Sequence, residues 1–260
     1  MGSIGVVGAW LLLAVVVVGA MLLAVACVFL ANRRLTETGP EHNSTLSPFI
    51  TVVGLVYGAL LGFTVVVAWE QFHSAEANAA NEASTLTTMY RQTVAMPQPE
   101  QAQLRGLLRQ YAQAVKGSEW DTQDVGGTSD AARAAITGMY RVVGSEQSNT
   151  ASSAISQEFL GQLTVLASDR NTRFLDAEPR IPPLLWSSLI FGAMVLIALT
   201  GFLRLRSNVG HMILSSAVAV LLGMLLYLVF VLDHPFGQLG VTSKPFDHAV
   251  SVFDAIDSGR

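Results

Sequence analysis

Cysteine is almost absent from this chain: of 260 residues only Cys27 is one, and it stands in an apolar run. That excludes an internal disulfide and any multi-cysteine metal site, and the expected role of Cys27 is that of a small buried hydrophobe. Charge is scarce as well. Asp, Glu, Lys and Arg make up 13% of the residues against 51% hydrophobic ones, with a mean hydropathy of +0.47. A soluble domain carries about 25% charged residues, so the composition fits a multi-span membrane protein instead. The net charge of -4 argues against nucleic acid as a partner, because phosphate binding needs a basic surface. Catalytic signatures are missing too: there is no Gly-x-Ser-x-Gly elbow, no His-Glu-x-x-His pair, no cysteine nucleophile in water and no nucleotide-binding glycine motif. His42, His73, His211, His234 and His248 are scattered without metal-ligand spacing. No enzyme, cofactor or metal centre is expected.

Long apolar runs are what the chain does have. Met1 to Ala31 carries no charge and is followed by Arg33-Arg34, an order that fits a retained first span and not a cleaved signal. Pro48 to Ala68, Leu184 to Leu203 and His211 to Leu232 are the other runs long enough to cross a bilayer. Residues 1–34 are therefore read as span one, 35–69 as a cytoplasmic loop with span two, 181–206 as span three and 207–232 as span four. Residues 70–180 read as an extramembrane helical bundle inserted between spans two and three, and 233–260 as a C-terminal tail. The fold class is an all-α membrane protein. In the bundle, Pro97 and Pro99 end the helix that leaves span two, and apolar residues then recur at helical spacing over Glu100–Lys116, from Asp130 as cap, and over Ser152–Asp176. Gly117 to Ser129 reads as a loop, and Phe246 to Ile256 as a short amphipathic helix. The short loops hold Arg33, Arg34, Arg204 and Arg206, whereas the opposite flanks are acidic or mixed. The positive-inside bias places the bundle and both termini outside the cytoplasm.

None of the four apolar runs contains Asp, Glu, Lys or Arg, which argues against proton relays and ion-coupled transport but leaves a passive pore open. The second span continues without Gly or Pro through Trp69-Glu70 into water, and at about 100° per residue its faces differ. Gly54, Gly58 and Gly62 make a flat strip for helix packing. Phe63, Val67, Glu70, Ser74, Asn78 and Asn81 cluster on the other side, either as a solvated surface or as the lining of a vestibule above an apolar constriction at Phe63 and Val67. Arg170, Arg173 and Arg180 lie just before span three, read either as a salt-bridged helix end or as anion-attracting groups at a pore mouth. No spacing pairs the carboxylates Glu82 and Asp233. His73 could pair with Glu70 or Glu76.

Particular residues carry a resemblance. Gly62-Phe63, Ala68-Trp69-Glu70, Asn81-Glu82-Ala83 and Tyr90-Arg91, then Tyr111, Glu119-Trp120, Arg170, Arg173, Ile181-Pro182 and Trp186, then Asp233-His234-Pro235-Phe236-Gly237, resemble the bacterial bestrophin-like membrane proteins of unknown function. Similarity to bestrophins implies a multi-pass protein of the bacterial inner membrane. It also implies a homo-oligomer, a pentamer by that likeness, with four spans per subunit and an ion pore along the second. Two departures stand against it. Bestrophins hold the domain between spans two and three in the cytoplasm, whereas the arginine count here places it outside. No acidic cluster resembles the bestrophin calcium clasp, so calcium gating does not carry over. The function expected is passive ion conduction, anions somewhat favoured, with a non-conducting scaffold or envelope sensor as the alternative.

Overall fold

The structure, a computed structural model, describes residues 2–34, 41–145, 152–203 and 207–259. Arg204 and Arg206 and the side chain of Arg34, three of the four charges that set the expected sidedness, lie outside the described residues. All regular structure among the described residues is helical. In chain order it comprises α1 (Gly2–Arg34), α2 (His42–Gln92), α3 (Glu100–Ala114), α4 (Trp120–Thr122), α5 (Asp130–Ser145), α6 (Ser152–Ala177), α7 (Pro183–Phe202), α8 (Asn208–Asp233) and α9 (Lys244–Asp257). Four of these, α1, α2, α7 and α8, are long and apolar enough to span a bilayer. The chain is a membrane protein.

The first compact unit comprises Met1–Glu70 with Arg180–Asp233. In it α1 packs on α7 and α8, and the close approaches are made by glycines of the later spans. A Cβ on Gly201 would lie 2.9 Å from the Cβ of Cys27, and one on Gly223 would lie 3.3 Å from Val16 Cγ1. Cys27 is half-buried at this crossing. Helix α2 meets α7 through Tyr57, whose hydroxyl donates to the Leu189 carbonyl at 3.1 Å while Gly192 makes room for its ring. Asn43 and Ser44 are already helical: the Thr45 N–H donates to the Glu41 carbonyl at 3.1 Å, and that carbonyl also accepts the hydroxyls of Ser44 and Thr45. Pro48 is thereby carried inside α2.

The second unit comprises Gln71–Pro179 with His234–Arg260. Leu86, Met89 and Tyr90 of α2 form its core with Leu104, Leu108 and Tyr111 of α3, Met139 of α5, and Phe159, Leu163 and Leu166 of α6. The stretch 233–260, read from sequence as a tail, supplies Phe246, Ala249 and Phe253 to the same core. Phe253 stacks on Tyr90 at 4.1 Å between ring centroids, and Arg105 and Arg109 of α3 bond Asp254 and Asp257 of α9. Two local expectations are corrected. Ser129, not Asp130, caps α5: its hydroxyl accepts the Ala132 N–H at 3.3 Å. The expected loop 117–129 begins with a kink at Gly117 (φ -93°, ψ -114°) and continues through α4 and a 3-10 turn over Gln123–Val125 that ends at left-handed Gly126 (φ 79°).

Candidate pore-lining helix

Helix α2 has one packed face and one open face. In the first unit its buried residues are Tyr57, Leu61, Thr64 and Ala68, three or four apart as a helix requires. Opposite them Phe63 is 74% exposed and Val67 49%. Glu70 follows on that open side, with no ion pair or hydrogen bond to its carboxylate among the described residues. Among the described residues the glycine strip packs against almost nothing. Cβ atoms on Gly58 and Gly62 would meet no atom within 4 Å, and one on Gly54 would meet only Leu196, at 3.9 Å. Among the described residues the close approaches between spans are made at Gly192, Gly201 and Gly223.

In the second unit α2 buries Ala75, Ala79, Glu82, Leu86 and Tyr90 and exposes Ser74, Asn81, Ser84 and Thr88. Asn78 does not belong to the exposed set, because its amide donates to the Asp176 carboxylate at 2.7 Å. Thr85 is likewise engaged, donating to Asp169 at 3.1 Å. His73 approaches Glu76 to 3.6 Å on the surface, one of the two pairings open to it.

The charges expected to draw anions are placed elsewhere. Arg173 is fully buried and bridges two carboxylates: its Nε reaches Glu82 and its Nη2 reaches Glu119, both at 2.6 Å. Arg170 pairs with the other oxygen of Glu119 at 2.6 Å. Tyr111 donates to Glu82 at 2.6 Å, the Ser129 N–H to Glu119 at 2.8 Å, and Gln123 accepts from Arg173. Both guanidiniums are therefore matched by carboxylates inside the second unit. Arg170 and Arg173 are thus salt-bridged, to partners far away in the chain. Burial alone would raise Glu119, but the bonds from Arg170, Arg173 and the Ser129 amide hold its carboxyl below the usual range. Burial, with Glu82 alongside, pushes the Tyr111 hydroxyl well up. Arg173, which burial would lower, is lifted above its ordinary range by Glu82 and Glu119.

Among the remaining motif residues, Pro182, Trp186, Asp233, Pro235 and Phe236 are engaged within the fold. In the first unit Asp233 accepts the N–H groups of Arg180 and Ile181, both at 3.0 Å, and the Trp186 indole at 3.1 Å. It ties the end of α8 to the start of α7, where Pro182 precedes Pro183 at the first helical position. In the second unit Pro235 and Phe236 are buried, Phe236 edge-on to Trp120 at 5.5 Å. Their turn needs Gly240, because a Cβ there would collide with the Pro235 carbonyl. Trp69, Arg91 and Arg180 are exposed. Glu119 and Gln123 were not among the sequence-derived site residues. Glu82 and Arg173 had a visible signal: each replaces an apolar residue in a 3-4 periodic stripe, Ala75, Ala79, Glu82, Leu86 and Phe159, Leu163, Leu166, Arg173. Opposite charges on two buried faces are each other's natural partners.

A family model described as a bestrophin-like domain matches residues 13–246. No curated protein matches the chain. Among solved structures, a point variant described only as a membrane protein superposes with a TM-score of 0.72 at 13% identity, covering 94% of this chain and 99% of that one. A bacterial bestrophin homologue from Klebsiella pneumoniae gives 0.70 at 14% identity, with 94% and 98% covered. A leucine-to-threonine variant of the Klebsiella pneumoniae homologue gives 0.69 at 14% identity, with 94% and 99% covered. At such identities these likenesses speak for the fold.

Proposed function

The chain belongs to the bestrophin-like family, and on its likeness to bestrophins, which are ion channels, we propose that it is the subunit of a passive homo-oligomeric channel. Copies of α2 surround the axis with their open faces inward, while residues 70–180 form the extramembrane bundle. The observation that carries this reading is the unpacked face of α2, a helix of 51 residues. It is apolar where the helix crosses lipid, at Phe63 and Val67, and polar beyond, at Glu70, Ser74 and Asn81. An apolar ring followed by polar rings is a pore that holds ions back by dewetting and hydrates them on either side. The glycine strip at Gly58 and Gly62 is left open for a neighbouring copy.

The anion bias expected from the arginines loses two of its three carriers, since Arg170 and Arg173 are neutralised in the ion-pair cluster. The charge next to the constriction is Glu70, one turn from Val67 on the open side. A ring of carboxylates there attracts cations.

The test is ion flux through purified protein in liposomes, with chloride, a large organic anion and potassium gradients measured separately. Selective flux is expected, and Phe63→Ala with Val67→Ala should raise it. Glu70→Gln should move the potassium-to-chloride permeability ratio toward chloride. Folded, oligomeric protein that passes no ion at any pH or voltage would transfer the assignment to a non-conducting scaffold.

A further inference from the structure

A groove in the first unit runs along the C-terminal part of α1 and the beginning of α8, with a volume of about 410 Å³. Its walls are apolar, from Leu22 and Val25 to Phe29 on α1 and Met212 on α8. Its polar lining is Asn32 and Asn208, gathered at one end. Arg33 is exposed beside that end, its guanidinium 4.7 Å from the centroid of the Phe29 ring. Among the described residues no carboxylate lies within ion-pair distance of Arg33. The ring that walls the groove thus also holds a cation at its mouth.

We infer that this groove binds one anionic phospholipid, with an acyl chain along the apolar wall and the phosphate at Arg33 and the two asparagines. Length argues for a lipid over a second protein copy. From Leu22 to Asn32 the helix rises about 15 Å, at 1.5 Å per residue, which is half of a hydrocarbon core of about 30 Å. That is the depth of one leaflet. A spanning helix of a neighbouring subunit would need a seam of the full thickness. Polarity argues the same way: apolar lining below, amides and a guanidinium at the level where headgroups lie, as in basic sites between spans that take acidic headgroups. The site does not depend on whether the protein conducts.

The experiment uses full-length protein, delipidated in detergent, with phosphatidylglycerol and phosphatidylcholine of identical acyl chains, and native mass spectrometry as the readout. Wild type should retain phosphatidylglycerol about fivefold more readily, the factor expected for one basic residue at a membrane surface. Arg33→Gln should abolish that preference while phosphatidylcholine still binds. Ala26→Phe, which fills the groove from an exposed position, should reduce retention of both. A phosphatidylglycerol carrying a photoreactive acyl chain gives a readout on unmutated protein. It should label the segment from Leu22 to Phe29, and unlabelled phosphatidylglycerol should compete far better than phosphatidylcholine. An unchanged preference in Arg33→Gln, or equal competition by the two lipids, would overturn the assignment. So would an Ala26→Phe protein that loses its oligomeric state but keeps its lipid, which would make the groove a subunit contact.

Discussion

Arg173 shows how much one side chain can decide. It is fully buried, yet each of its charged nitrogens has a partner, and Glu82, Glu119, Gln123 and Tyr111 are bound through it or beside it. Removing one member of a buried pair costs about 3–5 kcal/mol, because the abandoned charge stays out of water. Arg173→Met should therefore lower the thermal unfolding midpoint of detergent-solubilised protein sharply, and adding Glu82→Gln should recover part of the loss. A fall no larger than that of Arg91→Met, at an exposed site, would contradict this. Glu119 ties the cluster to pH. Its folded pKa is lower than its unfolded one, so the native state binds fewer protons, and its contribution is full above the ordinary carboxylate range. It is lost as pH falls through the lowered value. The contribution of Glu119 should thus decline on acidification below about pH 5, and the gap between wild type and Glu119→Gln should close in acid. A constant gap would remove Glu119 as the origin.

At the scale of elements, the glycines separate two kinds of helix contact. Gly192 makes room for the Tyr57 ring, and a Cβ there would lie 2.7 Å from Tyr57 Cε2. Gly192→Leu should destabilise the subunit itself by about 1–3 kcal/mol, the usual cost of overpacking. A Cβ on Gly58 would meet no atom of the described residues within 4 Å. Gly58→Leu should leave the subunit's unfolding midpoint near wild type but weaken the assembly, read as a lower oligomer fraction in native mass spectrometry. Equal effects of the two substitutions on the midpoint would show that the strip is not a surface for a second copy. Helix α2 explains why this matters: a helix packed on one side only is half of a structure, and its other side must meet lipid, water or another subunit.

The whole molecule poses the question of sidedness. The arginines of the short loops place the bundle outside the cytoplasm, whereas the family resemblance implies a cytoplasmic domain. Thr128 is exposed before α5 and serves as a reporter. In a Cys27→Ser background, Thr128→Cys should react with an impermeant thiol reagent added to intact cells. Protection that ends on permeabilisation would put the bundle in the cytoplasm and overturn the arginine count.

Amino-acid order by itself determined the four apolar spans, the helical periods of the second unit and the glycine-bearing second helix, because hydropathy and helix period are local properties. It also located most helix ends, with Pro97 and Pro99 bounding α2 and Pro182-Pro183 opening α7. Tertiary structure alone decided which charges meet. Glu82 and Arg173 are 91 residues apart, and Glu119 reaches them from the short helical segment that follows the kink at Gly117, a stretch that reads in sequence as a loop. A charge is committed to solvent, an ion or a partner only when packing closes over it. That is why Arg170 and Arg173, which look available to an anion in the sequence, are used up inside the second unit, and why Glu70 is not.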